Sequence, residues 1–293
     1  MHNTSLRRWL LCLCLLLPAL AAAQGQLGSA AALQAKFEAV QSQFDKNAFG
    51  RPLVLESSEA SGQLSGDIFA RVDHPFEQVS AALGKPEVWC EVLMLHLNTK
   101  YCAVRAGGNG TSLAVSVGRK FDQPLSEAQR IDFVWQPAVR KADYMSARLS
   151  ADKGPLSTRD YRIEFEATPL PNGKTFIHLA YAYAYGTAAR LAMQGYLATL
   201  GSDKVGFSPK DRNAAAGQSE LIGGVLGVVE RNTMRYYLAI DAYLDHPAEA
   251  QLPQRLAQWF DGTERYARQL HEVERADYLE MKRNEYQRLK TTQ

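Results

Sequence analysis

Cysteine is scarce in this sequence, and two of its four copies, Cys12 and Cys14, lie within the first apolar stretch. That excludes a disulfide-dense small scaffold. Long hydrophobic runs are missing too: beyond the N-terminal stretch nothing approaches the about 20 apolar residues that a membrane-spanning helix needs. Charge of one sign is not in excess, with 33 basic against 31 acidic residues. Binding to nucleic acid needs a basic surplus or a basic face to neutralise phosphates, so none is expected. Chemistry-bearing motifs are equally thin. There is no Gly-x-Ser-x-Gly elbow, no phosphate-binding glycine loop and no histidine pair at zinc spacing; His271-Glu272-Val273-Glu274-Arg275 lacks the second histidine of a metalloprotease helix. The sequence therefore predicts no catalytic residue, no metal and no cofactor.

What is present begins with a leader. Arg7 and Arg8 precede the apolar run Trp9 to Leu17, and Ala21-Ala22-Ala23 stand before Gln24. Charged, greasy and small-residue regions in that order make residues 1–23 a signal peptide cleaved after Ala23, which places the mature protein in the periplasm or outside the cell. An uncleaved anchor is the alternative, but the run is short and Pro18 interrupts its end. A lipoprotein fits less well, because both early cysteines lie inside the run. Without the leader the chain carries 31 basic and 31 acidic residues and keeps only Cys90 and Cys102. In an oxidising compartment that pair is most simply a disulfide, worth roughly 3 kcal/mol for so short a loop. His96 lies midway between them, which also allows a zinc reading, although structural zinc sites use closer cysteines and four ligands.

Along the rest of the chain, Leu33, Phe37, Val40 and Phe44 share one face of a helix over residues 30–45. Alternation from Leu64 to Val72 predicts a strand. Two short helices follow, one opening near Asp73-His74-Pro75 and ending at Gly84, the other covering residues 87–94. A meander of about six strands comes next, with turns at Gly107-Gly108-Asn109-Gly110 and Pro169-Leu170-Pro171-Asn172-Gly173. Asn109-Gly110-Thr111 also matches the N-glycosylation pattern, though the hairpin suffices to explain it. In the last strand Ile177, Leu179, Tyr181, Tyr183 and Tyr185 share one face and His178 lies on the other, as a packed or surface residue. Helices are expected over 188–200, over 221–244, and from the Asp261-Gly262-Thr263-Glu264 capping box to about residue 290; residues 202–218 read as a loop. The glycines Gly223, Gly224 and Gly227 fall in the first turns of the 221–244 helix, where close packing is the simplest reason for them.

Strand, two short helices, a long meander and then a long helix is an α+β order in which the helix must cover one apolar face of a curved antiparallel sheet. The opening Gly66-Asp67-Ile68-Phe69-Ala70-Arg71-Val72-Asp73-His74-Pro75-Phe76, with Trp89 beyond it, resembles the start of a START or Bet v 1-like (SRPBCC) domain, and residues 64–246 hold the elements of that helix-grip domain in order. Residues 24–63 are then an N-terminal helix and linker, and 247–293 a helical tail outside the family pattern, as are the 188–200 helix and the loop after it.

The resemblance implies a cavity between sheet and long helix that holds a lipid or another hydrophobic small molecule. Phe133, Trp135, Tyr161, Phe165, Tyr181, Tyr183 and Tyr185 would form its wall, and Arg231 or Arg235 would pair with an acidic head group. The same aromatic row also serves as ordinary core. Three function classes stay open: an exported carrier or sensor, a cyclase- or lyase-like cavity enzyme, and an interaction protein that binds a partner through residues 261–293. A peripheral membrane contact is compatible with the first. Expressed with its leader in a Gram-negative host, the protein is expected in the periplasmic fraction with Gln24 as its N-terminus. N-terminal sequencing checks this, and a membrane-bound chain that still carries residues 1–23 would sink it.

Overall fold

Apolar and polar residues alternating along extended chain build one sheet, and the polar interruptions decide where it turns. The computed structural model describes residues 28–108, 110–198, 203–211 and 219–291; the expected leader, Asn109 and much of the 202–218 segment lie outside them. In chain order come helix α1 (Ala30–Val40), strands β1 (Leu53–Ala60) and β2 (Gln63–Val72), and helices α2 (Phe76–Leu83) and α3 (Pro86–Leu95). Strands β3 (Thr99–Gly107), β4 (Gly110–Val117), β5 (Gln129–Arg140), β6 (Met145–Lys153), β7 (Thr158–Leu170) and β8 (Lys174–Tyr185) follow. Helices α4 (Thr187–Ala198), α5 (Gly224–Asp245), α6 (Leu252–Glu264), α7 (Ala267–Leu270) and α8 (Arg275–Thr291) end the chain.

The strands form one eight-stranded antiparallel sheet in the order β1-β2-β8-β7-β6-β5-β4-β3. After β2 the chain crosses through α2 and α3 to the far edge, then meanders back until β8 pairs with β2, Ile68 opposite Leu179. On the inner face Ile68, Leu113, Phe165, Leu179 and their neighbours form the main core with α2, α3 and α5. The tightest contact is between β2 and α5: a Cβ added at Gly66 would stand 2.3 Å from Thr233 Oγ1 and 3.4 Å from the Val229 carbonyl. Only glycine lets the helix lie this close to the strand. The outer face is partly covered as well. Helix α1 packs Leu33 and Val40 there, with Phe44 just beyond its end, against Phe69, Tyr144 and Phe176, and so both faces of β8 are buried at that end.

Three expectations need correction. The sheet begins at Leu53, not Leu64: β1 is an edge strand paired with β2, and it escaped notice because only Leu53 and Leu55 are buried on it before the polar run Glu56 to Glu59. The long helix starts at Gly224, whose φ is +61°, because Leu221 and Ile222 are drawn into bonds with the 206–209 segment. Gly227 then allows that segment to pass over the first turn, a Cβ there coming within 3.1 Å of the Gly206 nitrogen. Finally, the tail is not one charged helix from Asp261. Pro253 lies in the first turn of α6, a place where proline costs no hydrogen bond, and Asp261 to Glu264 form the end of that helix. The tail packs on the core through Trp259, Phe260 and Tyr278.

Among the described residues no helix is long and apolar enough to cross a membrane. Cys90 and Cys102 are joined in a disulfide that ties α3 to β3, which removes both thiolates from the zinc reading. Replacing Gly66 by Ala is expected to destabilise the fold by about 1–3 kcal/mol through overpacking against α5. Adding Thr233→Ala should restore part of the loss, since it removes the Oγ1 contact but leaves the Cβ at 3.2 Å. Urea unfolding of the single and double variants measures both.

Candidate functional site

Where α5 leaves close contact with β2 it spans strands on the far side of the sheet, and a cavity of about 170 Å³ lies beneath it. Its floor is the inner face of β4, β5, β7 and β8, through Val115, Ile131, Phe133, Tyr161 and Tyr181. Asn232 and Tyr236 of α5 form the roof, and Leu93, His96, Asn98 and Thr99, at and just beyond the end of α3, close one side. Aromatic rings dominate the wall. Tyr161 stacks on Tyr183 at 5.4 Å, Phe133 meets Tyr161 edge-on at 6.1 Å, and Tyr181 lies 5.2 Å from Tyr236. Burial raises the pKa of each of these tyrosines, so all remain neutral phenols.

The residues expected at the site divide. Phe133, Tyr161 and Tyr181 line the cavity. Trp135, Phe165 and Tyr183 are buried in the surrounding core, Phe165 edge-on to Trp89 at 6.0 Å. Tyr185 is half-buried at the end of its strand, where its hydroxyl donates to Glu59 and Arg190 stands over its ring. The two arginines do not face the cavity. Arg231 donates to the Val205 carbonyl at 3.1 Å, while Arg235 donates to the Leu270 carbonyl at 3.2 Å and pairs with Glu272 at 2.9 Å. A buried guanidinium has five N–H groups to satisfy, and here the neighbouring loop and tail supply acceptors. Among the polar and aromatic wall residues, His96, Asn98, Asn232 and Tyr236 were not placed at the site from the sequence, where His96 stood out only for a zinc reading. Asn232 and Tyr236 are one helical turn apart, and that spacing is the signal that would have paired them.

The segment carrying His96 is held from behind by the tail. Tyr278 donates to the Leu95 carbonyl at 2.9 Å, and Lys282 Nζ donates to the carbonyls of His96 and Thr99 at 2.7 and 2.8 Å. Lys282 also pairs with Glu285, which binds Lys100 in turn, and all three side chains are fully buried. Burial pushes the Lys282 pKa down to about 8 against the pull of Glu285.

On the opposite face of the sheet lies a second acid–base cluster. His178 Nδ1 is 2.9 Å from Glu166 Oε2, its Nε2 is 2.9 Å from Asp67 Oδ1, and Tyr144 donates to Glu166 Oε1 at 2.6 Å. The imidazole also stacks on Phe69 at 4.5 Å. Burial alone would lower its pKa, but the two carboxylates prevail and raise it to about 9, so the ring is a cation at neutral pH. A hollow of about 600 Å³ lies over this cluster, lined by Arg148, Arg162, Glu164 and other polar groups. Since both ring nitrogens are committed to carboxylates, His178 acts as a clamp joining β2, β7 and β8.

The strand order, the two helices inserted after β2 and the long helix laid across the concave face settle the architecture. The fold is a helix-grip, a curved antiparallel sheet closed over one long helix. No protein-family profile and no curated protein sequence matches the chain. Solved structures of similar outline include human StAR-related lipid transfer protein 5, 12% identical over 58% of this chain and 89% of that one, with a TM-score of 0.32. A conserved protein of unknown function, EF2215 from Enterococcus faecalis, is 7% identical over 77% and 98%, with a TM-score of 0.34. Truncated norcoclaurine synthase from Thalictrum flavum is 11% identical over 50% and 94%, with a TM-score of 0.32.

The His178 clamp predicts a pH dependence whose sign follows from its raised pKa. Its contribution is complete below the ordinary histidine value near 6.5 and is lost as pH rises through about 9, an effect of about 3 kcal/mol. Lys282, with its pKa lowered, works in the opposite sense over about pH 8 to 10.5. The difference in urea midpoint between the wild type and His178→Gln therefore isolates the clamp. It is expected to shrink steadily from pH 6.5 to 9, and a difference independent of pH would show that the ring is neutral.

Proposed function

We propose that the chain is an exported, periplasmic protein that binds a hydrophobic small molecule between its sheet and its long helix. The observation that carries this reading is the cavity itself: about 170 Å³ of space with an aromatic and aliphatic floor, and with His96, Asn98, Thr99 and Asn232 as its polar groups, beside the main core. Side chains large enough to fill it are present in the core, so empty volume there costs stability without return unless something occupies it.

The volume refines the lipid expected from the sequence. Sites for drug-sized ligands begin near 300 Å³, whereas a cavity of about 150 Å³ lined by apolar groups takes benzene. A ring-sized or short-chain molecule fits the cavity as it stands. A long acyl chain would enter only with displacement of the roof residues Asn232 and Tyr236. The alternative of an enzyme working inside the cavity draws nothing from His178, whose cluster faces the other side of the sheet. An interaction protein acting through residues 261–293 has fewer free groups than the composition suggested, since Lys282 and Glu285 are spent on the core.

Protein purified under native conditions is expected to yield an extractable apolar compound by mass spectrometry, or to take up one added in excess. Val115→Phe, which places a ring in the cavity, should abolish both while the chain stays folded by circular dichroism. An empty extract together with no uptake by the wild type would count against the reading.

A further inference from the structure

One polar atom in the cavity wall has nothing to bind. His96 is 4% exposed, and its Nε2 is buried without a hydrogen bond. The rest of the residue is fully engaged. Its backbone N–H donates to the Leu93 carbonyl at 3.1 Å, its carbonyl accepts from Lys282, and its Nδ1 accepts the backbone N–H of Asn98 at 3.1 Å. The ring lies 5.1 Å from Tyr236, the roof residue opposite. Asn98 is itself fixed by a 2.6 Å bond from its side-chain amide to the Gly118 carbonyl.

These bonds settle which nitrogen carries the proton. A ring whose Nδ1 accepts a backbone N–H holds its own hydrogen on Nε2 when neutral. Neutrality is enforced by burial first, and then by the positive charges of Arg235, Lys282 and Lys120, which push the His96 pKa well below 6.5; the Asn232 side chain on the facing helix stands near the ring and favours its protonated form, without reaching hydrogen-bond geometry at Nε2. The wall thus offers a desolvated N–H donor in a region of positive potential, beside a space of aromatic size. A buried donor without an acceptor is costly, and proteins keep few of them. Arg235 and Lys120 share Glu272, and Lys282 and Lys100 share Glu285, so the cations behind the wall outnumber their carboxylates and make a negative acceptor the most favourable one.

We infer that His96 Nε2–H is the anchoring donor for the ligand, and that the ligand is a ring-sized aromatic molecule bearing one anionic oxygen group, such as an aromatic carboxylate. This rests on the binding function proposed above and specifies its chemistry: rings of Phe133, Tyr161 and Tyr181 take the apolar body, and His96 takes the oxygen. A neutral hydrocarbon of the same size would fill the space and leave the donor unmet.

Sodium benzoate and toluene serve as probes of the full mature chain, measured by calorimetry and by nitrogen-15 histidine spectra. Benzoate is expected to bind the wild type at least about tenfold more tightly than toluene, and to shift the His96 Nε2 resonance, which toluene leaves in place. His96→Leu should erase the preference while keeping toluene binding, and His96→Gln, which retains an amide donor, should recover part of it. Equal affinities in the wild type, a preference that survives His96→Leu, or an Nε2 resonance unmoved by benzoate would overturn this inference and leave a plain apolar pocket. Binding of neither probe would overturn the binding function as well. The wild-type spectra decide the matter even if the leucine variant does not fold.

Discussion

Close packing of α5 on β2 at Gly66 is the constraint from which the rest of the interior follows. An eight-stranded curved sheet has more inner surface than one helix can touch, so the line of nearest approach must lie somewhere and the gap must open away from it. Gly66 brings that line to the β1-β2-β8 side, where Val229 and Thr233 meet the strand. Toward β4 and β5 the same rigid helix is farther from the curved floor, and the cavity occupies the wedge. Its position is therefore a geometric result of where the helix is pinned.

A wedge of this kind needs a side wall, and the chain builds one from the segment after α3. The Cys90 to Cys102 disulfide ties α3 to β3 on either side of that connection, and the tail braces its carbonyls through Tyr278 and Lys282. Burying two lysines and a glutamate is expensive, and a hydrophobic replacement would often be at least as stable. What a buried ammonium supplies that a methyl group does not is direction: Lys282 must point at the carbonyls of His96 and Thr99 and at Glu285 to be satisfied. That requirement holds the His96 backbone in one arrangement, and with it the angle of the imidazole at the cavity wall.

Much of the architecture was legible because period-two alternation is a local property. Tyr161, Ile163 and Phe165 against Arg162 and Glu164 could only be a strand buried on one face. The misread features are those decided by distant partners. Residues 53–60 look polar because an edge strand needs few inward apolar groups, and the tail looks like a solvated helix because Lys282 and Glu285 find each other and Lys100 only in the fold. Arg231 and Arg235 were expected to face a ligand, but their acceptors come from the 203–211 and 270–272 segments, far off in sequence. Aromatic residues on the inner strand faces were foreseeable as a group; which three touch empty space depends on the helix position and not on their own spacing.

The two faces of β8 show how the sheet keeps incompatible environments apart. Tyr181 and His178 are near neighbours on one strand, yet the first lines an apolar cavity with a neutral phenol and the second is a cation held by two carboxylates. Side chains alternate across a strand, so one backbone thickness separates them, and the outer cluster satisfies its own charge with Asp67 and Glu166. Helix α1 covers the adjacent outer rings Phe69 and Phe176, which lowers the local polarity and strengthens that ionic clamp. Charge needed to lock β2, β7 and β8 together is thereby kept on the side away from the cavity, and the inner face of β8 is left to Ile177, Leu179, Tyr181 and Tyr183.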